Sequence, residues 1–307
     1  GLDPTAYGMF ARLRAGDAAC SSRLTLWSNV LHLIAQKPWL GWGWGELDYA
    51  HYMTLYPGER FCDILDNAHN LPLHLAVELG LPVALAVCGG LGWVVWRARP
   101  WRETDPTRQM AWGVLAVIML HSMLEYPLWY GPFQMAFGLC VWMLWWTSPN
   151  RAAGSDAGLR VASAMRIALA IALLVAVAYA AWDYHRIRQI YLAPQARDAA
   201  YLDDTIGKIR GSRLFRNQVR FAELTTTPLA RENAQWTHDT ALALLHYSPE
   251  PRVIEKVIES AVMLGRDDQA LLHLARYRAA FPQDHAKWRD ANAITRRPSP
   301  SMAVLAP

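Results

Sequence analysis

The sequence predicts an all-α protein, a polytopic bundle of membrane helices followed by a soluble helical domain. Two observations carry this. Long apolar runs occupy 79–96, 111–146, interrupted near its middle by Glu125, and 167–182, and beyond Trp182 they give way to amphipathic, Arg-rich sequence. Fifteen tryptophans among 307 residues add a third, because rings with one apolar and one polar edge collect at bilayer interfaces. The mean hydropathy of +0.04 hides this division by averaging an apolar half with a polar one. A net charge of +4 is too small to argue for nucleic acid as a partner, and no glycine-rich phosphate loop or paired CxxC motif occurs.

Residues 1–70 read as a loop outside the bilayer. Within it, 22–34 places Leu24, Trp27, Val30, Leu31 and Ile34 on one face of an amphipathic helix. The turn from Pro38 to Gly45 then alternates three glycines with tryptophans, which permits close backbone approach and positive φ. Its indoles can anchor in the headgroup layer or stack on a sugar. Cys20 and Cys62 fall in the same loop, where two readings stay open, a disulfide in an oxidising compartment or two free thiols. Cys88 and Cys140 lie inside apolar spans. No cleavable signal peptide is recognisable at the start, and the expectation is the C-terminal part of a longer multi-span protein.

Four transmembrane helices are expected within 71–183, at about 71–96, 109–125, 131–146 and 166–183. Pro127, Gly131 and Pro132 divide the second from the third. Arg97, Arg99, Arg102 and Arg108 lie between the first two spans, and Arg151, Arg160 and Arg166 between the last two. Short basic loops stay cytoplasmic, so the early loop, the turn at Glu125 and everything after Trp182 are expected outside, in a periplasm. Residues 184–295 read as a soluble helical domain, with helices near 196–210, 231–246, 251–264 and 268–281. The pair spanning 249–281 has the rhythm of one tetratricopeptide-type hairpin. The Pro- and Ser-rich stretch 296–307 is expected to be disordered.

The chemistry concentrates at Asp66-Asn67-Ala68-His69-Asn70, at the mouth of the first span. A neutral imidazole takes a proton near ambient pH, so His69 is the candidate general base. Asp66 could orient its ring, and Asn67 and Asn70 offer uncharged donors to a phosphate or sugar. A histidine that merely caps the following helix is the plainer alternative. Ionisable groups within spans cost roughly 2.5 kcal/mol or more at a helix centre. His74 with Glu78, and His121 with Glu125, are each four apart and read as mutually bonded pairs. They either line a polar cleft or fix packing, and for Glu125 the expectation is a clasp of its turn. Arg23 is the candidate diphosphate clamp, since a guanidinium matches phosphate oxygens bidentately. Arg210, Arg213, Arg216 and Arg220 read as one solvated or lipid-facing helix surface. No metal-ligand spacing and no GxSxG motif appear.

Several blocks together resemble a family. They are Arg23 with Trp27, the turn 38–45, the segment 66–70 followed by Glu78-Leu79-Gly80, and His121-Ser122-Met123-Leu124-Glu125-Tyr126-Pro127-Leu128. These are similar to the O-antigen ligase and polymerase superfamily, and among its members to the bacterial protein O-oligosaccharyltransferases that glycosylate pilins. The resemblance implies a glycosyltransferase of the inner membrane that moves a preassembled oligosaccharide from undecaprenyl diphosphate to Ser or Thr hydroxyls of a periplasmic acceptor protein such as a pilin. It implies no cofactor, with membrane lipids as surroundings. His69 matches the catalytic histidine and Arg23 the diphosphate-binding arginine. It also implies preceding spans needed for activity. An O-antigen ligase or polymerase with a glycan acceptor is the alternative; a transporter using the His/Glu pairs, or an assembly subunit, would be of a different class.

Overall fold

The computed structural model describes residues 19–147 and 156–295, and every regular element among them is helical. The α-helices are α1 (Arg23–Gln36), α2 (Leu47–Met53), α3 (Leu71–Leu79), α4 (Leu81–Ala98), α5 (Pro106–His121), α6 (Gly131–Trp146), α7 (Asp156–Ile187), α8 (Thr205–Ile209), α9 (Arg216–Thr226), α10 (Ala234–Leu245), α11 (Pro251–Met263), α12 (Asp267–Ala280) and α13 (Pro282–Thr295). Two stretches are long and apolar enough to cross a membrane by length and composition, 81–102 and 164–191. Of the helices expected as spans at 109–125 and 131–146, the first is α5, which begins earlier and ends at His121, and the second is α6 with the expected bounds; they pack on each other through Ala111, Leu115 and Cys140. Arg151 and the tail 296–307 lie outside the described residues.

The helix expected over 71–96 is instead two. α3 stops at Leu79 because Gly80 takes φ +85° and ψ 161°, a region essentially closed to side chains, and α4 restarts with Pro82 in its first turn. The chain breaks there to admit the turn at 38–45. Amides of Trp42 and Gly43 donate to the carbonyls of Val77 and Glu78 (2.9 Å each), and the Leu81 amide donates to the carbonyl of Pro38 (2.8 Å). The turn thus satisfies carbonyls that the end of α3 would leave bare. The approach is so close that a Cβ on Gly41 would lie 2.3 Å from the Glu78 carbonyl oxygen, and one on Gly80 2.2 Å from that of Trp39.

α1 is capped by Ser22, whose hydroxyl accepts from the Thr25 amide. Its buried face is Leu26, Asn29, Val30, Leu33 and Ile34, rotated from the expected stripe, while Leu24 and Leu31 are exposed. Asn29 explains the rotation. Its amide donates to the Glu59 carbonyl and accepts from the Phe61 amide, so a polar side chain is buried to hold the loop beneath. That loop is further tied by a disulfide between Cys20 and Cys62, which resolves the two open readings.

Beyond α7 the second core is built from α9 to α12 with Tyr52 of α2. Three helices of this domain fall where expected, α10, α11 and α12. The helix expected over 196–210 is largely absent: short 3-10 turns at Pro194–Ala196 and Ala199–Tyr201 precede the five residues of α8. The arginine series is not on a single helix: Arg216 and Arg220 are on α9, while Arg210 precedes it and pairs with Glu223 of α9 at 2.5 Å. α2 and α13 were not anticipated. α7 is joined to the domain by Asp183, fully buried, which accepts from the Ser212 hydroxyl (2.9 Å) and from the amides of Arg213 (3.2 Å) and Leu214 (3.1 Å).

Candidate functional site: a carboxylate shared by a histidine and an arginine

His69 has φ +49°, a left-handed conformation uncommon for a residue with a side chain. Two local bonds hold it. The Asn67 side-chain oxygen accepts from the His69 amide (2.9 Å), and Asn70, at the N-cap of α3, accepts from the Leu73 amide (3.0 Å). Trp27 of α1 fixes the loop from behind by donating its indole N–H to the Ala68 carbonyl (3.1 Å). Asn67 and Asn70 were expected to offer donors to a substrate. Asn67 is instead buried, and Asn70 Nδ2 is spent on the Met123 carbonyl (3.0 Å), so both amides serve to build the loop.

The same latch brings in the turn after α5. The Leu71 amide donates to the Ser122 carbonyl (2.8 Å), beside the Asn70 to Met123 bond, and the chain leaves the helix at His121. Glu125 is therefore not on the face of α5, and the expected pairing with His121 does not form; His121 packs edge-on against Phe133 instead. Glu125 Oε2 accepts from His69 Nδ1 at 2.8 Å, and Oε1 accepts from Arg23 Nη2. An ionised carboxylate can only accept, so Nδ1 carries a proton in this bond, and it is the neutral form of the ring that keeps a lone pair on Nε2. Asp66, expected to orient the ring, is exposed; Glu125 has that place. Arg23, the candidate diphosphate clamp, shares the carboxylate with His69, and Tyr126 packs edge-on against the imidazole at 4.8 Å.

His74 and Glu78 do pair, with Nε2 and Oε2 3.4 Å apart and both side chains buried. The contact is too long to satisfy them, and neither His74 Nδ1 nor Glu78 Oε2 has a hydrogen-bond partner among the described residues. Burial holds His74 down at about 4, so it is neutral, and pushes Glu78 up to about 7 against a smaller opposing pull from the Gly45 and Leu47 amides. Trp44 and Trp129 stand over this pair. Their rings are near parallel, 6.2 Å apart, and each meets the His74 ring edge-on. Among the described residues no group of His, Cys, Asp and Glu could hold a metal ion.

Glu125, whose partner reasoning from sequence misassigned, lies in the block 121–128, whose spacing suggested a helix pair and whose tertiary contacts decide otherwise. Fold and site together define a helical chain with two stretches long and apolar enough to cross a membrane, in which a histidine, a carboxylate and an arginine from three segments meet. The comparisons with known proteins narrow it. Residues 109–294 match the family model described as virulence factor membrane-bound polymerase, C-terminal, and residues 2–88 match that of O-antigen ligase. The chain belongs to that polymerase family, in the O-antigen ligase superfamily, on its O-oligosaccharyltransferase branch.

Two relatives come from Acinetobacter baylyi. A general O-oligosaccharyltransferase is 29% identical over 140 residues, covering 45% of this chain and 24% of the relative. A ComP-specific O-oligosaccharyltransferase is 31% identical over 81 residues, covering 26% and 14%. The chain thus aligns with a quarter or less of the length of each. No solved structure matches.

Proposed function

We propose that this chain carries the catalytic loop of a glycosyltransferase that moves a lipid-linked oligosaccharide to a protein hydroxyl at the outer face of the inner membrane. The observation that supports it most is the double use of Glu125, by His69 Nδ1 and by Arg23. An imidazole whose Nδ1–H is held by a carboxylate presents Nε2 as a base in a fixed orientation. The Ser or Thr hydroxyl oxygen attacks the anomeric carbon while its proton passes to Nε2. The bond from that carbon to the undecaprenyl diphosphate oxygen breaks, and the departing diphosphate takes the electron pair. Arg23, half exposed beside the base, is placed to meet the charge that builds on the leaving group.

On this reading Glu125 is a positioning residue and His69 the catalytic one, with Asp66 outside the hydrogen-bonded set. The four-span topology, with the catalytic loop and helical domain in the periplasm, belongs to the same proposal. Its support is the two long apolar helices and the arginines that follow the first of them. The likeness to O-oligosaccharyltransferases supports a protein acceptor, the family models described as polymerase and O-antigen ligase support the glycan-acceptor alternative, and a pilin as acceptor is part of the proposal. The test is glycan transfer by the complete protein in membranes supplied with lipid-linked glycan. His69→Ala is expected to abolish the glycoprotein product, read as a mass shift of the acceptor. Glycan appearing on lipopolysaccharide instead would select the ligase alternative, and unchanged transfer would remove His69 from catalysis.

A further inference from the structure

The function proposed above assigns no role to Trp44 and Trp129, yet the fold goes to some length to display them. Trp44 is bracketed by Gly43 at φ +119° and Gly45 at φ +76°, and the turn below is pinned by backbone bonds to the end of α3. A ring held on so constrained a turn keeps its orientation without the usual ordering cost on binding. Trp129 comes from a different segment, the 3-10 turn Pro127–Trp129, four residues after Glu125. The two indoles are exposed, near parallel, and share one support in the buried His74. The chain ties them to the base, since their shared support His74 is five residues after His69, and Trp129 closes the short turn that follows Glu125, the carboxylate bonded to His69.

We propose that Trp44 and Trp129 form a saccharide-stacking platform beside the His69 centre, a subsite for the sugar rings beyond the one being transferred. The inference rests on the glycan-transfer reading and names what would read the glycan's length. A pyranose offers an apolar face of C–H groups and a hydroxylated edge, and flat indoles match the first. A lipid anchor would also use exposed tryptophans, but it has no need of two rings from separate segments held near parallel on one buried support, whereas the apolar face of a sugar does. Trp39 supplies the contrast on the same turn: it is exposed and is not stacked on another ring among the described residues, as an interfacial anchor would be.

The experiment measures transfer by the complete protein in membranes from two lipid-linked donors, one carrying the full oligosaccharide and one carrying a single sugar. Trp44→Ala and Trp129→Ala are expected to raise KM for the oligosaccharide donor roughly 5- to 30-fold each, the factor that one to two kcal/mol represents. Their kcat should stay within about twofold, KM for the single-sugar donor should not move, and Trp44→Phe should recover most of the loss. Trp39→Ala should leave both donors unchanged. Equal loss on the two donors, the same loss with Trp39→Ala, or no loss at all would overturn the platform, the second outcome assigning the rings to the membrane. Failure of the underlying reading is separate, because it would appear as full activity in His69→Ala.

Discussion

If Glu125 acts only by holding the His69 ring, removing it should cost nothing once the imidazole is gone. The perturbation is a double-mutant cycle of His69→Ala and Glu125→Gln in the complete protein. A positioned general base contributes about 10²- to 10⁴-fold, which bounds the loss in His69→Ala. Glu125 and His69 are 36% and 28% exposed, so solvent screens their interaction and the loss in Glu125→Gln should fall below that bound, at about 10- to 100-fold in kcat. The double variant should then match His69→Ala, a coupling of about 1.4 to 2.7 kcal/mol at one to two decades. Because the three groups are part-exposed, folding should shift by less than about 1 kcal/mol, and the thermal transition should separate a catalytic from a structural effect. The assay is the rate of glycan appearance on acceptor protein under saturating donor. Multiplicative losses in the double variant, or a Glu125→Gln enzyme as fast as the parent, would refute the reasoning.

Three further outcomes follow from the packing. Gly80→Ala puts a Cβ 2.2 Å from the Trp39 carbonyl oxygen at φ +85°, so it should destabilise by about 3 kcal/mol or more, whereas Gly89→Ala, with open space around it, should not; thermal gel filtration of solubilised protein checks both. Glu78, at about 7 when folded against 4.5 free, binds more protons folded than unfolded, so its contribution to stability falls as pH rises from about 4.5 to 7 and then levels. Glu78→Gln should therefore remove up to about 3 kcal/mol of that decline, read from thermal melts between pH 5 and 8. His74, held near 4, has the opposite slope between about 4 and 6.5, and must be retained in the comparison. Asp183→Ala leaves the Ser212 hydroxyl and two amides without their acceptor and should cost about 3 kcal/mol, seen as faster proteolysis of the helical domain after α7.

Local signals proved readable and partner choice did not. The turn at 38–45 announced positive φ and close approach through its glycines, and all three have positive φ, yet nothing in the turn said that its target was Glu78-Leu79-Gly80. His69 stood out from its neighbours, but Asp66, three residues away, was a natural partner, while the true one is 56 residues on. The i, i+4 rule paired His121 with Glu125 on the assumption that α5 continued. A latch between two loops, Leu71 to Ser122 and Asn70 to Met123, ends that helix at His121, and only the folded chain contains it. For His74 and Glu78 the same rule worked, because α3 runs unbroken between them. In α1 the apolar residues cover a little over half the circumference, wider than one contact stripe, so periodicity alone could not choose which edge of that arc is buried, and the buried Asn29 did.

The helical domain is part of the wall of this site as well as an extension of α7. α2 leaves the Gly45 turn directly and docks on the domain at several points. The Tyr52 hydroxyl bonds His273 Nδ1 (2.9 Å), Arg276 Nε donates to the Met53 carbonyl (2.8 Å), and His246 stacks on Tyr49 while bonding Glu46 at 2.7 Å. Glu46 immediately follows Gly45, so the turn that carries Trp44 is held by α3 on one side and by α10 and α12 on the other. At the far end, Asp183 fixes the same domain to the last apolar helix. The domain therefore closes a loop of contacts running from α7 through α12 and α2 to the glycine turn, α3 and His69. A segment joined only through α7 could be removed without touching the loop of His69; one closed in this way cannot, because its loss frees Glu46 and Tyr52 and with them one of the two supports of the turn that packs on Glu78.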